Sequence, residues 1–505
     1  MNLPLAVELI ERFRLVLTLR LGLCFEDSRL CHVLEVLQAR VVAAGGDAVA
    51  YVERLEAQPS DEELTLLARE LTVPETYFFR HSQQFDALRA IVREKYLCLG
   101  KLPPRVLSAG CASGEEAYSL AALLFDCWPE RDPSIVALDV NPWILARARE
   151  GRFSAWSLRE TPAALATRWF RQQGRDYVLD ELLRRSVRFV SANLALDHQE
   201  VLASQSYDVI FCRNVLMYFS PEKREEAVAR LASALVPGGY LFLGSAETLR
   251  GVSQEFHLCH THEAFYYQRK LAHDRLPSSR RCKTRSDRPA PLRLVPPEAG
   301  WADEIGRASA RISALAREPS VACSVPSLVP SVSAKESPWD LSGALELMHK
   351  EQFSGALAHV RALPPDAALD PDALLLEAVL LASAGSFVEA EETCLRLLGL
   401  DELCAGAHYV LALCGAGTGR QGTAMHHDRV ATYLDPGFAM PRLHLGLLLR
   451  RAGEMGDARL ELTQARSLIE REDAARILMF GGGFGRAALL ALCSAELDTT
   501  AGPPR

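Results

Sequence analysis

The sequence predicts a chain in three parts: an all-α segment first, then an α/β domain with a largely parallel sheet, then an α-solenoid. Three observations carry this. Over residues 1–72 apolar residues recur at three- and four-residue spacing, the period of one helix face. From about 100 to 270 short apolar runs alternate with helical stretches, the pattern of βα units. After about 337 the chain repeats itself every 34 residues.

In the first part VELIERFRLVL, SRLCHVLEVLQARVV and DEELTLLARELT read as helices, with Ser28 and Asp61 at candidate helix starts. No glycine-rich turn or acid–base cluster lies there. In the second part, residues 73–270, the strands are RVLSAG, SIVALD, VRFVSAN, YDVIFC and YLFLG. Helices fit between them at EEAYSLAALLFDCW, NPWILARARE and PEKREEAVARLASAL. A less regular stretch at about 155–188 reads as an insertion. Residues 271–336 are rich in proline, serine and arginine and read as a solvated linker.

The repeat has a definite phase. Gly385, Gly419 and Gly453 lie 34 residues apart, Glu351 holds the same place one repeat earlier, and Ala356, Ala390, Ala424 and Ala458 follow five residues on. Leu400-Asp401 recurs as Leu434-Asp435. A 34-residue period with a small residue between two helices is the tetratricopeptide signature. Four repeats are expected over 337–472, with Gly415 as an irregularity inside a helix, and a capping helix and tail over 473–505.

The bulk numbers exclude some functions. Of 505 residues, 49% are hydrophobic and 24% charged, with a formal net charge of -8. That balance disfavours nucleic acid as the partner. The start lacks the order of a signal peptide, and no charge-free apolar run reaches the roughly 18 residues of a membrane span. Thirteen cysteines are scattered without a CxxC pair, so reduced thiols and a cytoplasmic location are expected. No metal site is expected, either at His257, His260 and His262 or at the adjacent His426 and His427.

In an open α/β sheet a ligand lies beyond the carboxyl ends of the strands. The residues there are GCASGEE (110–116), Asp139-Val140-Asn141, Asn193-Leu194 and Arg213-Asn214. An acidic residue ending the second strand is placed to hold a ribose diol. Glu115 and Glu116 in the first turn would repel a pyrophosphate and attract an ammonium and a sulfonium. S-adenosylmethionine carries both.

At this point LTVPETYFFRHSQQF, GCASGEEAYSLA, ALDVN and FCRNVLMYFSPEKREEAVARLASALVPGGYLFLGSAE resemble the CheR-type chemoreceptor glutamate methyltransferases over about residues 10–270. The resemblance implies a small helical domain, a Rossmann-like catalytic domain and a small β-subdomain at about 155–188. It implies methyl transfer from S-adenosylmethionine to glutamate side chains on chemoreceptor cytoplasmic helices. Carried over by position, it puts Thr76, Arg80, Glu116, Asp139, Asn193, Leu194, Arg213 and Asn214 at the cofactor. Glu115 stays beside Glu116, because residue type alone does not separate the two. Arg80 and Tyr218 fall beside the transferred methyl.

Two departures stand out. Pro74 replaces a common asparagine and is expected to remove one polar cofactor contact. Gly244-Ser245-Ala246-Glu247 replaces a GHSE block and is expected to alter the floor of the site. An adaptor of low activity is the alternative that Pro74 alone favours. A methyltransferase of nucleic-acid amines is disfavoured, since RNVLMY stands where an Asn/Asp-Pro-Pro-aromatic block belongs. The loop within 170–189 is short against relatives that dock on a receptor's C-terminal pentapeptide, so the repeats are expected to localise the enzyme at receptor arrays without membrane insertion.

Overall fold

The computed structural model describes residues 3–25, 30–72, 75–196, 200–271, 341–350, 352–364 and 370–500. Ser28, Pro74, Glu351 and the expected linker beyond Leu271 lie outside the described residues. Two compact units emerge, within Met1–Ser279 and within Arg280–Arg505.

The first unit opens with helices α1 (Leu3–Leu21), α2 (Leu30–Ala43), α3 (Ala48–Ala57) and α4 (Asp61–Leu71). Their apolar faces bury Phe13, Leu17, Val33, Val52 and Leu67. Helix α4 starts at Asp61, and Ser60 caps it by accepting the Glu63 N–H at 3.2 Å. A further helix, α5 (Ser82–Val92), follows the FFR turn and is not evident from the strand–helix alternation.

The central sheet begins with β1 (Arg105–Ala109), α6 (Glu115–Cys127), β2 (Ser134–Asp139) and α7 (Pro142–Glu150). The insertion follows: β3 (Arg152–Ser154), α8 (Ala163–Trp169), β4 (Phe170–Gln173), β5 (Asp176–Leu179) and α9 (Glu181–Arg185). Its antiparallel three-stranded sheet has the order β3-β5-β4 and starts a few residues before position 155, where the sequence placed it. The main chain resumes with β6 (Val187–Ser191), β7 (Tyr207–Cys212), α10 (Pro221–Ala234), β8 (Leu235–Leu243), β9 (Phe256–Thr261) and β10 (Ala264–Arg269).

The seven-stranded sheet runs β6-β2-β1-β7-β8-β10-β9. Strands β6, β2, β1, β7 and β8 are mutually parallel, as expected. The antiparallel hairpin β9–β10 at the edge is not among the expected strands. Chain order reverses between β1 and β7, which is where such sheets open a ligand crevice. Phe211, Phe242 and Tyr266 stack across the strands at 4.4 and 5.1 Å.

In the second unit α11 (Ser342–His349) pairs with α12 (Phe353–Arg361), and α13 (Pro371–Ser383) with α14 (Phe387–Leu400). Likewise α15 (Ala405–Gly417) pairs with α16 (Gln421–Leu434), and α17 (Ala439–Ala452) with α18 (Met455–Ile469). Helices α19 (Ala474–Phe480) and α20 (Arg486–Thr500) follow. Gly385, Gly419 and Gly453 turn the chain within three pairs at φ of +77°, +77° and +85°, where a side chain is strained. Ala356, Ala390, Ala424 and Ala458 are completely buried. Gly415 ceases to be an irregularity: a Cβ there would stand 3.1 Å from the Ala424 nitrogen, so its absence lets α15 and α16 touch.

Candidate active site

A cavity of about 300 Å³ opens at the reversal between β1 and β7. Thr76, Arg80, Glu116, Asp139, Asn193, Leu194, Arg213, Asn214 and Tyr218 all line it. These residues, numbered from 76 to 218, meet because the FFR turn and the strand ends each deliver a short segment to one place.

The FFR turn supplies Arg80. Phe79 and His81, on either side of it, hold left-handed φ values of 56° and 58°, a conformation that costs a side-chain-bearing residue about 1–3 kcal/mol. Burial offsets that cost. Phe78 and Phe79 are 1% and 4% exposed and belong to the core rather than to the cavity wall. The Phe79 N–H donates to Ser119 Oγ at 3.0 Å and the Phe78 N–H to the Ser157 carbonyl at 2.9 Å. Arg80 is left on the wall, its Nη1 donating to the Glu75 carbonyl at 3.1 Å. Burial, then Arg213 and Arg80, push the His81 imidazole below its usual range.

Asp139 ends β2. Its two oxygens accept the N–H groups of Ala112 and Asn141, each at 2.9 Å. Ala112 sits at φ 47° in the first turn, which aims its N–H across to the neighbouring strand end. Burial raises the Asp139 carboxyl, while the N–H groups of Asn141 and Ala112 pull it down. A carboxylate accepts about four hydrogen bonds, so acceptor capacity remains for a diol in the cavity. Leu71, Ile144 and Leu194 flank it with apolar surface suited to a flat heterocycle. Gly110 closes the first turn at φ +78°, with Val215 Cγ2 only 2.2 Å from where a Cβ would stand. A nucleoside fits this donor set.

The structure separates the two glutamates. Glu116 lines the cavity, its oxygens accepting Ser108 Oγ and Arg213 Nε, each at 2.6 Å. The Glu116–Arg213 pair is almost completely buried. Arg213 continues into a network, donating to the Arg80 carbonyl and to Gln84 Oε1. Glu115 does not line the cavity. It accepts Ser113 Oγ at 2.6 Å and Ser157 Oγ at 3.2 Å, tying the insertion to the start of α6, and burial raises its carboxyl. The expectation of two bare carboxylates repelling a pyrophosphate needs correcting: one is neutralised by Arg213 and the other faces away. Asp139 keeps acceptor capacity at the cavity, whose lining also includes Glu75.

Glu247 carries no site role in the sequence reading beyond the altered floor. It is buried and accepts four backbone N–H groups, from Gly244, Asn214, Val215 and Met217, at 2.7 to 3.2 Å. Burial raises its carboxyl against those donors. It thereby sets the course of residues 214–218, including Asn214 at φ 59°. Ser245 and Ala246 are exposed and do not line the cavity. The signal available was one acidic residue just after an apolar strand, too common a pattern to single out.

The N-terminal helices also reach the site, although no acid–base cluster marked them. Leu21, Leu23, Phe25, Leu71 and Thr72 line the cavity. Leu23 bridges to Phe219, the Cys24 N–H donates to the Tyr218 carbonyl at 2.7 Å, and Asn193 Nδ2 donates to the Leu21 carbonyl at 3.1 Å. The two residues assigned to cofactor and methyl, Asn193 and Tyr218, are therefore also what the first helix docks on. Pro74 lies outside the described residues.

Residues 74–265 match the family described as CheR methyltransferase, SAM binding domain. The chain is 37% identical over 258 residues to chemotaxis protein methyltransferase 2 of Vibrio cholerae, a match spanning 49% of this chain and 88% of that protein. It is 30% identical over 453 residues to the probable biofilm formation methyltransferase WspC of Pseudomonas putida, spanning 89% of this chain and 96% of that one. The Pseudomonas aeruginosa protein described in the same words is 29% identical over 452 residues, with the same coverage.

Proposed function

This chain belongs to the CheR family of S-adenosylmethionine-dependent methyltransferases, and on that premise we propose that it converts glutamate side chains of chemoreceptor cytoplasmic helices into methyl esters. The observation that carries the reading is the meeting of Arg80 and Tyr218 on the wall of the cavity that also holds Asp139.

The chemistry asks for little beyond positioning. A substrate glutamate with a reference pKa of about 4.3 is ionised at neutral pH, so no general base is needed. Bound S-adenosylmethionine supplies an electrophilic methyl on a sulfonium. Asp139 would hold the ribose diol, and Thr76, Glu116, Asn193, Leu194, Arg213 and Asn214, which line the same cavity, would enclose the cofactor. Arg80 and the Tyr218 hydroxyl orient the incoming carboxylate. Aiming the nucleophile is the main source of rate in such a transfer. Arg80 serves orientation, because a strong grip on the ground-state carboxylate would slow the step.

The test is to incubate the full chain with methyl-labelled cofactor and receptor cytoplasmic fragments. Label that base releases marks a methyl ester; no label, or label that resists base, rules the reading out.

The repeats act as the docking module. Supporting this, the β4–β5 hairpin turns on Gly174 and Arg175 alone, leaving no long loop for a receptor pentapeptide. Calorimetry in which the full chain binds such a pentapeptide tightly would remove that support. Two relatives aligned along most of both lengths are named for biofilm formation. This favours a chemosensory pathway governing surface growth, and a deletion strain that swims abnormally but forms normal biofilm would contradict it.

A further inference from the structure

The segment between the last repeat and the terminal helix does not continue the array. Carrying the 34-residue phase forward from Gly453 and Ala458 reaches Ala487 and Leu492, both inside α20. Helix α20 is the cap: it packs along α18, buries Leu489, Leu492 and Cys493, and pairs Glu496 with Arg450. That leaves α19 without a capping task.

Helix α19 instead folds back onto α11 and α13, the first helices of the first two pairs. The Phe480 ring lies 5.9 Å from Tyr409 of α15 and 4.9 Å from Phe438 at the start of α17. The Tyr409 hydroxyl donates to the Phe480 carbonyl at 3.4 Å. Gly406 of α15 makes room, since a Cβ there would stand 3.1 Å from Phe480 Cζ. Because α13 packs on α15 and α15 on α17, the first helices form one continuous face. That face is the kind of surface on which helical arrays hold a partner. A seven-residue helix therefore meets α11, α13, Tyr409 of α15 and Phe438 at the start of α17.

Its chemistry is that of a bound peptide. Ile477 and Phe480, three residues apart, are 5% and 7% exposed, while Ala474 and Ala475 face solvent. Arg476 reaches Asp435 at 3.0 Å and lies 4.4 Å over the Phe438 ring. Apolar anchors at helical spacing laid into a groove are how amphipathic helices are recognised. On its far side Gly481, Gly482 and Gly483 precede α20, the last two at φ +62° and +85°. This hinge lets α19 leave while α20 keeps its own anchors on α18.

We propose that α19 is a resident ligand of the repeat groove. The groove takes an amphipathic helix of the form Arg-Ile-x-x-Phe, and a protein partner docks by presenting such a helix in place of α19. The proposal rests on reading the repeats as a docking module and adds what they bind and what keeps them closed.

The probe is a fluorescent peptide of residues 471–485, titrated into the full-length protein and two full-length variants. Phe480→Ala removes the aromatic anchor, and Arg476→Gln removes the ion pairs with Asp435 and Glu472 at a half-exposed position without reversing the charge. Both variants bind the peptide at least tenfold more tightly than the unaltered chain, and a peptide carrying Phe480→Ala binds neither. Equal binding by all three proteins, or no binding by either variant, overturns the proposal. Docking is read separately, as recruitment of the unaltered chain to receptor arrays in cells. If recruitment fails while the variants bind peptide, the docking reading falls and the resident ligand stands; recruitment without peptide binding overturns the ligand alone.

Discussion

Asp139 spends two of its acceptor positions on the N–H groups of Ala112 and Asn141 and is thereby aimed before any ligand arrives. Asp139→Ala should lower cofactor affinity by about two orders of magnitude or more, since hydrogen bonds to a charged group are worth roughly 1.5–3 kcal/mol each; calorimetry with S-adenosylmethionine measures it. Tyr218→Phe should leave that affinity unchanged and lower turnover at least about tenfold, the loss of one hydrogen bond to a charged group at roughly 1.5–3 kcal/mol; unaltered turnover would refute the role given to the hydroxyl. The adjacent glutamates make a sharper pair. Glu116→Gln leaves Arg213 buried without its counter-charge, at a cost of about 3–5 kcal/mol, and should lower both the melting point and cofactor affinity. Glu115→Gln should do neither, because Glu115 does not line the cavity and its serine partners also suit an amide. A loss of affinity in Glu115→Gln would return that residue to the site. Sequence reasoning reached Glu116, Asp139, Asn193, Leu194, Arg213 and Asn214 because each follows a strand, and Thr76, Arg80 and Tyr218 through the family resemblance, but it left the two glutamates undivided. Which side chain of a neighbouring pair points inward depends on where Arg213 and Ser157 stand, and those lie 97 and 42 residues away in sequence.

Among the elements, the repeats were the most legible. Their small residues recur at fixed spacing because every pair solves the same packing problem. Gly419 turns between α15 and α16 at φ +77°, so Gly419→Ala should cost about 1–2 kcal/mol and lower the melting point of the repeat unit. Gly415→Val should cost more, since its Cβ would press on the Ala424 backbone; equal melting points for the two variants would contradict the close approach of α15 and α16. The insertion and the β9–β10 hairpin were harder to read. Their strands are short, and edge pairing depends on which neighbour the sheet offers rather than on a long run of alternation. Glu247 belongs to this scale as well: by holding four N–H groups it sets the path of the loop that carries Tyr218.

Across the whole molecule, pH reveals a property of the repeat unit. His408 and His427 face each other at 3.1 Å between α15 and α16, and burial pushes both down to about 4. Unfolded, each takes a proton below about 6.5, so between pH 6.5 and 4 the unfolded chain binds more protons and stability falls as pH drops. His426 acts in the same direction. Asp428, paired with His444 at 2.7 Å and raised by burial to about 6, acts the opposite way between about 6 and 4. The imidazoles outnumber it, so the calorimetric transition of the repeat unit should move down between pH 7 and pH 5. The double variant His408→Gln/His427→Gln should remove most of that fall, leaving the part due to His426, and a fall of undiminished size would place its origin elsewhere. Among the described residues no helix is long and apolar enough to cross a membrane.

By itself the sequence determined what is local or periodic: the helix faces, the parallel strands, the 34-residue phase, and the short motifs after each strand that name the cofactor's chemistry. Only the tertiary structure decided what depends on distant segments meeting. It paired Glu116 with Arg213, turned Glu115 away, brought α1 to the cavity wall and laid α19 along the first helices of the repeats. The reason is physical: spacing along the chain dictates which faces are apolar, but which charge is neutralised and which groove is filled depends on what packing brings within a few ångströms.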